Sequence, residues 1–72
     1  MYHILITRNY HHSETRYKWH MEFGDYNRNT VKAEVQEYLR EYKRKDIKIV
    51  TIVSDTQAAI DHAIDCYNSL EM

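Results

Sequence analysis

Within residues 15–23, TRYKWHMEF, polar and apolar side chains alternate without a break from Arg16 to Phe23. Tyr17, Trp19, Met21 and Phe23 fall on one side of an extended chain, and Arg16, Lys18, His20 and Glu22 on the other. Four alternations specify a strand with one buried and one wet face. Such a strand needs neighbours in a sheet and a layer to cover its apolar side, and the rest of the chain is read for both.

The neighbour lies upstream. Residues 2–9, YHILITRN, are rich in β-branched and aromatic types and predict a strand. Tyr2, Ile4 and Ile6 point one way; His3, Leu5 and Thr7 point the other. Leu5 is apolar on the second face, which suits a central strand covered in part on both sides. The intervening NYHHSE is then a hairpin loop, longer than the tightest turns.

The covering layers lie downstream. Gly24-Asp25 ends the second strand, and NRNT at 27–30 offers Asn29 or Thr30 as a helix N-cap. Val31, Val35, Tyr38, Leu39 and Tyr42 follow at helical spacing, with Lys32, Glu34, Glu37, Arg40, Glu41 and Lys43 on the other side. Lys43, Arg44 and Lys45 stand where cations complement a helix C-terminus. IKIVTIV at 47–53 is a short apolar run and reads as a buried strand. Ser54 with Gln57 forms a capping box before a second helix. Ala59, Ile60, Ala63, Ile64, Tyr67 and Leu70 are its buried stripe, and Asp61, His62, Asp65 and Asn68 face outward.

The order β-β-α-β-α predicts an α+β fold, one domain over residues 1–72, with a three-stranded mixed sheet of order 2-1-3. A right-handed crossover through the first helix makes strands two and three parallel. Both helices are expected on one face, leaving the other open. No proline and a single glycine, Gly24, agree with short connections between regular elements.

Size and charge restrict function. At 72 residues the chain is near the lower limit for a self-sufficient core, with little room for an enclosed substrate pocket, so the expectation is that it is not an enzyme. Ten basic and eleven acidic residues give a net charge of −1, without the basic excess of a dedicated nucleic-acid binder. A single cysteine, Cys66, excludes an internal disulfide and multi-cysteine zinc motifs. The apolar start MYHILITRNY is too short for a signal peptide or membrane span, so a cytoplasmic location is expected.

Four constellations carry chemistry. His11, His12 and His20, with His3 beside them, match no metal-ligand spacing, and no metal or cofactor is expected. Arg8, Arg16, Lys18 and His20, with the Arg44-Lys45 end, are placed to contact phosphate, although alternation separates the aromatics from Arg16 and Lys18. Asp61/Asp65 and His62/Cys66 are i, i+4 pairs on the second helix, but a lone cysteine beside an apolar stripe reads first as a small core residue. Seven tyrosines are many for this length; Tyr10 and Tyr26 fall outside the apolar stripes and suit an exposed contact surface.

In length, lack of linkers and tyrosine content the chain resembles the small single-domain proteins with which bacteriophages and mobile elements inhibit host machinery, anti-CRISPR inhibitors among them. The likeness rests on no motif and carries no functional residue across. It implies a viral protein working in the host cytoplasm. The reading is a small protein-binding module that inhibits or regulates a larger protein or ribonucleoprotein complex. Its contact surface is Arg8, Tyr10, His11, His12, Arg16, Lys18, His20 and Tyr26. The edge strands would also permit a homodimer by sheet extension. The alternatives are a nucleic-acid-binding regulator using Arg8, Arg16, Lys18 and His20, and a structural subunit of an oligomer.

Overall fold

The computed structural model describes residues 1–9 and 18–70, the side chains of Asn9 and Leu70 apart. Its elements are β1 (Tyr2–Asn9), β2 (Lys18–Asp25), α1 (Arg28–Tyr38), β3 (Ile47–Ile52) and α2 (Gln57–Leu70), with one 3-10 turn at Arg44–Asp46. The sheet order is β2-β1-β3. β1 is antiparallel to both neighbours, so β2 and β3 share a direction as expected. Because those two are the edges, both ladders are antiparallel, and the expected mixed sheet is corrected to an antiparallel one.

The helices do not share a face. Ile4 and Ile6 of β1 join Trp19, Val50 and Ile60, with Tyr2, Met21, Ile52, Ala63, Ile64 and Tyr67 around them; this is the α2 layer. Leu5 joins Val31 and Ile47, with Phe23, Val35, Tyr38, Leu39, Tyr42 and Ile49 around them; this is the α1 layer. The expected single helical layer and open sheet face are therefore corrected. Adjacent residues on β1 and on β3 are apolar on both sides, so each sheet face carries its own helix. Ile4, Leu5 and Ile6 are all fully buried, and truncating any one of them costs about 2–5 kcal/mol.

A β-bulge divides β2 between the layers. Leu5 pairs with Phe23 but Ile6 pairs with Met21, so Glu22 is an extra residue without an opposite number. Trp19 and Met21 therefore face α2, while Phe23 is turned to α1. The uniform apolar face drawn from Trp19 to Phe23 stops at Met21. Tyr17 lies outside the described residues.

Helix ends also differ from the sequence reading. Asn27 caps α1, its side-chain oxygen accepting from the Asn29 N–H at 2.9 Å, while Asp25 Oδ1 accepts from the Asn27 N–H at 2.7 Å. The helix closes at Tyr38, so Lys43–Lys45 lie beyond it rather than on its last turn. For α2 the cap is Thr56, whose hydroxyl accepts from the Ala59 N–H at 3.2 Å; Ser54 instead bonds to Thr56 Oγ1 at 3.1 Å.

Candidate partner-binding surface

The sequence-selected residues separate onto different parts of the molecule. Arg8 and Trp19 are cross-strand partners on the α2 side. The Arg8 guanidinium donates from Nε to Asp46 Oδ1 at 2.8 Å and lies 4.9 Å from the centre of the Trp19 ring. The Lys48 ammonium stands 5.7 Å from the same ring and 6.0 Å from that of Tyr67. Tyr67 meets Trp19 edge-on at 6.1 Å. Cations over indole and phenol faces are attracted by the ring quadrupole, so Arg8 is built into the fold rather than held out to phosphate. The Trp19 indole N–H is buried and meets no acceptor among the described residues.

His20 faces the other layer. Its Nε2 lies 2.7 Å from Glu22 Oε1 and 3.3 Å from the hydroxyl of Thr7, itself fully buried. The Tyr38 hydroxyl joins this group through Glu22. Its removal from water and the adjacent carboxylate both hold the phenol above its ordinary value. Lys18 is exposed on the same side of β2 as His20. His3 shares that sheet side but stands at the far end of β1, bonded through Nδ1 to Thr51 Oγ1 at 2.8 Å. No group of three or more metal-ligating side chains converges among the described residues.

Tyr26 sits at the opposite end of β2 from Lys18. It is 61% exposed, and its ring meets Tyr2 edge-on at 4.9 Å. A hydrogen bond to Asp55 raises its phenol pKa. Arg8, Lys18, His20 and Tyr26 therefore do not form one patch. Tyr10, His11, His12 and Arg16 lie outside the described residues.

Cys66 is exposed rather than a core residue, with its Sγ 3.8 Å from His62 Nε2 on the outer side of α2. Asn68, expected to face solvent, turns to the sheet. Its Oδ1 accepts from the Trp19 N–H at 2.6 Å and its Nδ2 donates to the Trp19 carbonyl at 3.3 Å.

That last contact makes the two sheet edges unlike. An edge strand presents unpaired N–H and C=O groups to any incoming strand. On β2 the outward groups of Trp19 are taken by Asn68, and Glu22 breaks the register. β3 pairs with β1 over six consecutive positions with no bulge, and no strand pairs with its outer side among the described residues. Val53, just beyond its end, is 81% exposed.

Beside β3 runs a groove of about 240 Å³ lined by Val35 and Leu39 of α1, by Ile47, Lys48 and Ile49 of β3, and by Arg28 and Arg44. Of these, Arg44 is visible in the sequence as part of a basic end. Arg28 carries no signal of its own, since only the fold brings the start of α1 to the groove.

No family model, curated protein or solved structure matches the chain. No helix among the described residues is long and apolar enough to cross a membrane.

Proposed function

We propose that the chain is a small protein-binding module that inhibits or regulates a larger protein assembly by occupying a site on it, in the manner of phage-encoded anti-defence proteins. The observation that carries this reading is the contrast between the sheet edges: β2 is capped by Asn68 and broken by the Glu22 bulge, and β3 is regular, with no strand on its outer side among the described residues. Strand addition supplies affinity through main-chain hydrogen bonds and specificity through alternate side chains. A compact domain also loses little conformational freedom on binding.

The geometry favours this over the nucleic-acid reading. Arg8 is engaged by Asp46 and Trp19 on one side of the sheet, while Lys18 and His20 lie on the other. Those residues offer no common track for a phosphate backbone.

A photo-cross-linking side chain at Val53 tests the reading in nuclease-treated bacterial lysate, with the same group at His62 on the outer side of α2 as the control. The expected result is one stoichiometric protein adduct from Val53 and none from His62. Adducts that vanish with nuclease, or equal labelling from both positions, would contradict it.

A further inference from the structure

We propose that the groove between α1 and β3 receives an extended, acidic segment of the partner protein, which pairs with β3 as a fourth strand. This rests on the protein-binding reading and names the surface and the chemistry of its occupant. Alternate apolar side chains of the segment enter between Val35, Leu39, Ile47 and Ile49, and its carboxylates meet Arg28 and Arg44. Side chains two apart on a strand share a face, so the spacing of Ile47 and Ile49 sets that of the residues they receive. A groove of about 240 Å³ suits one or two such side chains; drug-sized ligands occupy about 300–1,000 Å³.

Charge selects the occupant. Arg28 is the first residue of α1, where a cation opposes the helix dipole, and the first turn holds no acidic residue. Among the described residues no carboxylate pairs with Arg28 or Arg44. Neither arginine is thereby explained by the stability of the fold, and both line the groove beside the outer edge of β3, which pairs with no strand among the described residues. A second copy of the chain is the wrong occupant. Its β3 would bring Lys48, preceded by Arg44 and Lys45, onto an edge that already carries the same cations.

The test is selection from a library of unstructured twelve-residue peptides, followed by fluorescence anisotropy on the enriched sequences. Expected are sequences with alternate apolar residues flanked by Asp or Glu, and at least a tenfold loss of affinity in the Arg28→Glu/Arg44→Glu variant. Replacing the acids of the peptide by Lys should cause a similar loss. Glutamate at the start of α1 favours the helix, so the variant is expected to fold, which circular dichroism and melting check. Enrichment of basic or patternless peptides, unchanged affinity in the folded variant, or concentration-dependent dimerisation through β3 would overturn the proposal. If the Val53 adduct forms and survives both charge reversals, this inference fails while the protein-binding reading stands. If neither adduct nor peptide binding is found, both fail.

Discussion

Asn68 of α2 takes both backbone hydrogen-bonding groups of Trp19, accepting from its N–H at 2.6 Å and donating to its carbonyl at 3.3 Å. One side chain thus does at the β2 edge what a neighbouring strand would do, and it ties α2 to the hairpin. Asn68→Ala leaves a donor and an acceptor without these partners. It should lower stability by about 1–3 kcal/mol in urea unfolding and increase self-association on sizing. Unchanged stability would mean that water replaces the amide at no cost.

Gly24 does not have a positive φ; what it provides is close approach. A Cβ there would stand 2.7 Å from the Met21 methyl and against the Tyr2 hydroxyl. Both obstructing groups are side chains that can turn aside rather than backbone, so Gly24→Ala should cost at the low end of overpacking, about 1 kcal/mol. Adding Tyr2→Phe should return part of that loss in a double-mutant cycle, because it removes the nearest obstructing atom; additivity of the two changes would refute the packing account.

The Arg8–Asp46 pair is mostly enclosed, its side chains 17% and 12% exposed. Removing one member takes a charge-assisted hydrogen bond from the other, so Arg8→Met or Asp46→Asn should each destabilise by about 1.5–3 kcal/mol. The double variant should lose less than the sum. Equal additive losses would show that the two residues act independently.

Much of this arrangement can be read from the residues, and the exceptions have physical causes. The period-two pattern gives β2, β-branched and aromatic content gives β1, a short apolar run gives β3, and the apolar spacing of Val31 to Tyr42 and of Ile60 to Tyr67 gives both helical faces. The bulge at Glu22 is invisible because an extra residue in a strand needs neither glycine nor proline to mark it. It reverses Phe23, and with Phe23 goes the expectation of one apolar face. Leu5 marks a second covered side, and α1 is the layer that covers it. Asn68 shows the limit most directly, since a polar residue on a helix reads as solvated until the fold supplies a strand edge for it to cap. The described members of the contact surface read along the hairpin are divided for the same reason: Arg8 and His20 are close in the ladder but project to opposite faces.

Two tyrosines should titrate late. The bond to Asp55 raises Tyr26, and burial followed by the Glu22 carboxylate raises Tyr38, both above the ordinary value of 10.0. A group raised on folding contributes stability fully below its unfolded value and loses it as pH rises through the folded one. Stability should thus fall above pH ~10, and absorbance at 295 nm should show two late phenols. Asp55→Asn should move Tyr26 earlier without affecting Tyr38; a single transition near the ordinary value would contradict these contacts.

Arg28→Glu alone should raise stability by about 0.3–1 kcal/mol, since it places an anion at the start of α1. The same change should weaken partner binding. Opposite signs for fold and function in one substitution would separate the two roles, whereas a loss of both would place Arg28 in the scaffold.

The most direct measurement is the ¹⁵N–¹H spectrum of the labelled protein titrated with the tightest acidic peptide from the selection, with nuclear Overhauser contacts recorded in the complex. Shifts concentrated on Ile47–Ile52 and on Val35 and Leu39, with peptide-to-β3 backbone contacts, are the predicted result. Shifts centred on β2 or the outer side of α2, without backbone contacts to β3, would contradict strand addition at this edge.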